Sequence, residues 1–105
     1  MYLDDIRIPT EEFDFIVRSY DEAVKIIKQY GMPNYISFDH DLGVDENGVL
    51  LQSGYDLAKW IVESDLDKKI SIPSDFSFNV HSQNPVGKTN IILLFRNYFI
   101  SQKDI

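Results

Sequence analysis

The chain carries two histidines, His40 and His81, and each stands beside acids or hydroxyls at the end of a short apolar run. His40 sits in the run Asp39-His40-Asp41 within YISFDHDLG, Tyr35 to Gly43. His81 and Ser82 close FSFNVHS, Phe76 to Ser82, while Asp4 and Asp5 close the apolar start of the chain. Imidazole titrates near neutrality, and crowded carboxylates must either protonate or take up a cation. A hard divalent ion such as Mg²⁺ or Mn²⁺ is the simplest remedy, since Mg²⁺ uses one or two carboxylates and leaves places for water and phosphate. Metal-assisted work on a phosphate is the chemistry this set suits. Singly, the signals are modest. An Asp pair after a strand often only forms a turn, and a lone strand-end histidine is more often a satisfied polar neighbour than a catalyst. The Asp-His-Asp run is stronger, because ionisable residues rarely fill a strand end without partners.

The elements that must position these residues follow from patterning. Residues 2–4 and Asp14 to Ser19 read as two short β-runs. Ser19 and Glu22 form an S-x-x-E capping pattern ahead of Ala23, Ile26, Ile27 and Tyr30 at helical spacing, and Gly31 and Pro33 end that helix. The apolar start of YISFDHDLG reads as a buried strand whose acidic end leaves the sheet. Val44 to Gln52 holds a turn at Asn47-Gly48, with Asp45 and Glu46 in a solvated loop or small hairpin. Ser53 caps a second helix, with Asp56 three positions on and Leu57, Trp60 and Ile61 on one face. After Pro73 comes the strand FSFNVHS, then a helix opened by Asn84-Pro85 and striped by Ile91, Leu94, Phe95 and Tyr98. Strands alternating with helices predict a mainly parallel sheet covered on both faces, with its ligand crevice beyond the carboxyl ends of the strands. Three of the four predicted strands end in the residues singled out above.

Composition narrows the partners. The 105 residues carry 17 acids against 10 basic side chains, a formal charge of −7, which makes the chain a poor general binder of nucleic-acid backbone. The four acids Asp4, Asp5, Asp39 and Asp41 gather at one predicted rim, so a small phosphate ligand remains compatible once a cation is bound. No cysteine is present, which removes disulfides, thiolate zinc sites and cysteine nucleophiles and suits a reducing cytoplasm. No apolar run approaches the roughly 20 residues of a membrane span, and MYLDDIRIP has acids where a signal peptide is basic. Spacing excludes several named motifs. An EF-hand begun at Asp39 needs glycine at position 44 and glutamate at position 50, where Val44 and Leu50 stand. Gly87-Lys88-Thr89 has the tail of a P-loop without the glycine five residues earlier, and no G-x-S-x-G elbow exists.

Four blocks in order, LDDIRIP (Leu3 to Pro9), ISFDHDLG (Ile36 to Gly43), GYDLAKWI (Gly54 to Ile61) and HSQNPVGKTNI (His81 to Ile91), resemble successive signatures of the cyclic-phosphate-processing receiver-like domains, a divergent branch of the response-regulator receiver fold. The resemblance implies a receiver-like (flavodoxin-like) three-layer α/β sandwich with about four mainly parallel strands, occupying residues 1–105 as one domain. It also implies metal-dependent hydrolysis of a cyclic phosphodiester, or else a non-catalytic module that binds a cyclic nucleotide or phosphoryl group. By motif, Asp4 and Asp5 match the acidic pair that holds Mg²⁺ in receivers, and Asp39 matches the phosphoacceptor position. Ser82 falls near the hydroxyl that contacts the phosphoryl group. His40, Asp41, His81 and Asn84 belong to the divergent family's own pattern. The expected site is therefore Asp4, Asp5, Asp39 and Asp41 for a divalent metal, with His40 and His81 as the acid–base pair and Asp39 beside them. Arg7, Ser82, Asn84 and Lys88 are expected to contact phosphate. Two departures from an ordinary receiver stand out. Only Ile6 to Phe13 separate the first two strands, and no fifth strand ending in a lysine follows the last helix pattern, so Lys103 has none to occupy.

Overall fold

Residue parity along four short parallel strands decides which side chains meet. The computed structural model describes residues 1–103, with β1 Tyr2–Leu3, β2 Ile16–Val17, α1 Tyr20–Tyr30, β3 Tyr35–Phe38, α2 Gly54–Leu66, β4 Ser77–Val80 and α3 Pro85–Lys103. The seven elements come in the expected order, with strands shorter than the patterning predicted. The sheet order is β2-β1-β3-β4, every pair parallel. Backbone bonds carry the ladder one step past the strands, with Asp4 N donating to Val17 O at 3.1 Å, Asp39 N to Leu3 O at 2.9 Å and His81 N to Phe38 O at 2.9 Å. The strand-end residues are thus held in register although they lie outside the strands proper.

The connections β2-α1-β3 and β3-α2-β4 run across the sheet in the same direction, so right-handed crossovers put both helices on one face. α1 packs against α2 and α2 against α3. Leu3, Ile36, Phe38 and Val80 meet Ile27, Leu57, Ile61, Ile91 and Phe95 in the core beneath them. Phe95 packs on Phe38 and Phe78, with ring centroids 5.7 and 4.7 Å apart. Tyr98 of α3 donates to Asp65 of α2 at 2.5 Å, and Asp65 also accepts from Ile72 N at 2.9 Å. That network ties the last two helices together.

The opposite face carries Tyr2, Tyr35, Ser37, Asn79 and His81. Among the described residues its cover is the coil between β1 and β2, through Phe13 against Tyr2 and Tyr35, not a helix. The outer layer of the expected sandwich is thus a coil. Its physical reason lies in the sequence, where a short stretch interrupted by Pro9 cannot wind a helix.

Capping separates the helices. Ser53 and Asp56 form a complete capping box on α2, whereas Ser19 accepts from Glu22 N with no return bond from the Glu22 side chain. Gly54 opens α2 hard against the site strand: a Cβ there would lie 1.8 Å from the Asp39 carbonyl oxygen. Gly54→Ala is therefore expected to push α2 off β3 and to cost about 3 kcal/mol in urea unfolding. An unchanged midpoint would mean that the α2–β3 approach tolerates a methyl group.

Candidate metal and phosphate site

Asp4, Asp39 and His81 follow Tyr2, Ser37 and Asn79 at two-residue steps, so all three side chains leave the sheet on the coil-covered face. One ligand atom from each lies within 4.8 Å of the other two, a group able to hold a metal ion. Asp4 is wholly buried and Asp39 is 7% exposed. The chain turns sharply after Asp4, whose Oδ1 accepts from Ile6 N at 3.0 Å and Arg7 N at 2.8 Å, while Oδ2 lies 3.0 Å from His81 Nε2. Arg18, at the end of β2, donates to the carbonyls of Asp4 and Arg7 and pins this turn.

Burial pushes the Asp4 carboxyl up. The hydrogen bonds from Arg7 N, Ile6 N and His81 outweigh it, and the net shift is down. An ionised carboxylate only accepts, so Nε2 of His81 carries the proton in this contact. In the neutral ring, Nδ1 then accepts from the Ser37 hydroxyl 2.7 Å away. Tyr2 stacks on the same imidazole with centroids 4.6 Å apart and rings 3° from parallel. Asp39 goes the other way. Burial first, then the charge of Asp4, raises its pKa, and His81, a backbone bond from His40 and the charge of Arg7 offset this only in part.

His40 is one residue out of phase with Asp39, which sends it to the helix side. Its ring lies against the first turn of α3, where a Cβ on Gly87 would come within 2.4 Å of it. His40 Nδ1 is 2.9 Å from Asp41 Oδ1, and Asn84 Nδ2 donates to Asp41 Oδ2 at 3.3 Å. The hydrogen bond with His40 comes first in holding the Asp41 carboxyl below its ordinary value, burial opposes it, and Asn84 adds to the lowering. Asn84 Oδ1 accepts from Gly87 N at 3.0 Å as the cap of α3. The two histidines thus belong to separate groups, one with Asp4 and Asp39 and the other with Asp41 and Asn84.

A cleft of about 460 Å³ lies between these groups, lined by Asp4, Asp5, Arg7, Asp39, Asp41, Ser82 and Asn84. Arg7 reaches it half-exposed, with Nη1 donating to His81 O at 3.2 Å and Nε 3.8 Å from Asp4 Oδ2. Ser82 Oγ accepts from Asn84 N at 3.1 Å, which leaves its own O–H free to donate. Asp5 lines the cleft outside the three-residue group, and a Cβ on Gly43 would stand 3.3 Å from its Oδ2. Lys88 is exposed on α3, and neither it nor either histidine lines the cleft; His81 lines a smaller hollow with Tyr2, Ser37 and Asn79. Ser37, Tyr2 and Arg18 escaped the sequence reading. The first two had a signal, since each stands two residues before a site acid on a strand.

A parallel sheet with buried carboxylates at its carboxyl edge, covered by helices that follow the strands, is a receiver-type α/β domain. The chain belongs to the family of cyclic-phosphate processing receiver domains, whose family model matches residues 1–97. Comparison with curated proteins and with solved structures finds no match.

The opposed shifts of the two carboxylates have a consequence for stability. A carboxyl whose folded pKa is raised costs nothing below its ordinary value; the cost grows as pH climbs from there to the raised value and is fully present above it. In metal-free buffer at neutral pH, Asp39→Asn is expected to raise Tm by a few degrees. The gain should shrink as pH falls toward the ordinary carboxyl value of 3.8 and vanish below it. The same variant should lose any rise in Tm on adding Mn²⁺ or Mg²⁺. A lower Tm at neutral pH in the variant would show that the Asp39 charge is satisfied within the chain.

Proposed function

We propose that this domain hydrolyses a cyclic phosphodiester, a cyclic nucleotide or a 2′,3′-cyclic phosphate end, with the help of a divalent cation. The observation that carries the reading is the buried pair Asp4 and Asp39 on the wall of a phosphate-sized cleft, with the His81 imidazole backing Asp4. The family's name, which speaks of cyclic-phosphate processing, agrees with it. Asp4 and Asp39 fit a cation because their mutual repulsion is what a bound charge relieves, and their oxygens suit Mg²⁺ or Mn²⁺. Asp5 and Asp41, on the same cleft, would act through water. When bound, such an ion polarises the phosphate and lowers the pKa of a water molecule.

The side chains of the chain itself do the rest. Hydrolysis puts the water oxygen on phosphorus, releases one proton of that water to solvent, breaks one P–O ester bond and delivers a proton to the departing alkoxide. His81 holds such a proton at Nε2, oriented by Ser37 on its other nitrogen and by Tyr2 against its face. Arg7 can engage phosphate oxygens with its planar fork, and the Ser82 hydroxyl can donate to another. His40 and Asn84 hold Asp41 and the start of α3 in place, so the expected pairing of two histidines across the phosphate gives way to a single one. Lys88 lies outside the lining of the cleft.

A second reading, binding without turnover, draws on that same separation, because neither histidine lines the cleft. One assay distinguishes the two. The protein is incubated with 2′,3′-cyclic nucleotides, 3′,5′-cyclic nucleotides and cyclic dinucleotides, in Mg²⁺ or Mn²⁺ and in EDTA. Hydrolysis of one class in metal and none in EDTA is expected. Asp39→Asn and His81→Ala should each lower the rate about 100-fold or more, and His40→Ala about tenfold or less. Tight binding with no product favours the module, and equal loss in the two histidine variants contradicts the assignment of roles.

A further inference from the structure

Four of the twelve large apolar side chains left exposed among the described residues crowd into one hairpin, as Val44, Val49, Leu50 and Leu51. The hairpin is built, not slack. Val44 and Leu50 form an antiparallel bridge, Asp45 Oδ1 accepts from Asn47 N at 2.8 Å and Val49 N at 3.0 Å, and Gly48 takes the positive φ of 78° the turn needs. An ordered turn that holds Leu50 at 80% exposure gains nothing from its own fold.

The placement of these side chains gives the patch a purpose. Val44, Leu50 and Leu51 line a basin of about 440 Å³ together with His40, Gln52 and Asp41. Asp41 also lines the phosphate cleft, so the two hollows adjoin. No lysine or arginine lines the basin, whose titratable groups are the acids Asp41 and Asp56 and the ring of His40. A second phosphate is therefore unwelcome there. A neutral, flat group with apolar faces and a hydrogen-bonding edge suits it. Aliphatic side chains and the His40 ring cover the faces, and the Gln52 amide can meet the edge.

We propose that the hairpin basin receives the nucleobase of the ligand whose cyclic phosphate sits in the cleft. The ligand class is thus a nucleoside cyclic phosphate. This rests on the cyclic-phosphate reading of the rim and adds to it the means by which a nucleoside is told from a bare sugar phosphate. Val44, Leu50 and Leu51 exclude water from the base, and the lack of any lysine or arginine there leaves a second phosphate without a partner.

Two ligands test it, adenosine 2′,3′-cyclic phosphate and the base-free methyl riboside 2,3-cyclic phosphate. Each is titrated in Mn²⁺ against the parent protein and a Leu50→Ser/Leu51→Ser variant, with KM used wherever turnover occurs. Both leucines are exposed, so the variant keeps its fold, which circular dichroism checks. The parent is expected to bind the nucleoside compound about tenfold more tightly than the base-free one. The variant should lose that advantage while its affinity for the base-free compound stays the same. Equal binding of both ligands by the parent removes the base site and leaves the rim reading intact. So does a variant that weakens both alike or changes neither. Failure of the parent to bind either compound overturns the rim reading and this inference with it.

Discussion

A carboxylate with no exposure to water must find its partners inside the protein, and Asp4 is such a group. Two of its partners are backbone N–H groups of Ile6 and Arg7, which exist only because the chain doubles back immediately after β1. The third is His81, 77 residues away in sequence and two strands across the sheet. Satisfying Asp4 therefore fixes the exit of β1, the end of β4 and the tautomer of the histidine together. Ser37, Tyr2 and Arg18 fall into place around that requirement: one meets the far nitrogen of His81, one covers its ring, and one ties down the turn.

Asp39 lacks the compensation that Asp4 enjoys. It stands beside an already ionised neighbour, and its carboxyl is pushed up where that of Asp4 is pulled down. Environments that drive two neighbouring acids apart are characteristic of sites that hold cations or move protons. The unsettled charge of Asp39 is the feature through which this rim differs from a merely structural ion pair. Together with Asp4 and His81, Asp39 makes a group able to hold a metal ion.

The receiver-type order of elements could be read along the chain, because β-runs and amphipathic helices alternate and the caps at Ser19, Ser53 and Asn84 mark where helices begin. So could the thin outer layer, since the stretch between the first two strands is too short and too proline-interrupted for a helix. The half-made cap at Ser19 could not. A capping pattern names which bonds are possible, while the exposed Glu22 side chain makes no return bond to Ser19 in the fold. The acids and both histidines were legible as strand-end residues with chemical capability. Lys88 is exposed on α3 and does not line the cleft, which proximity in sequence does not reveal.

What the residues determined by themselves was the inventory: a parallel α/β domain, a set of oxygen and imidazole donors at the strand ends, and an acidity concentrated there. What only the tertiary structure decided was which donors meet. Side chains alternate faces along a strand, so the neighbours Asp39 and His40 go to opposite sides of the sheet, and a boundary misjudged by one residue would exchange their roles. Register across strands far apart in sequence then sets His81 beside Asp4. No local pattern encodes that contact, because it is made by the packing of the whole sheet.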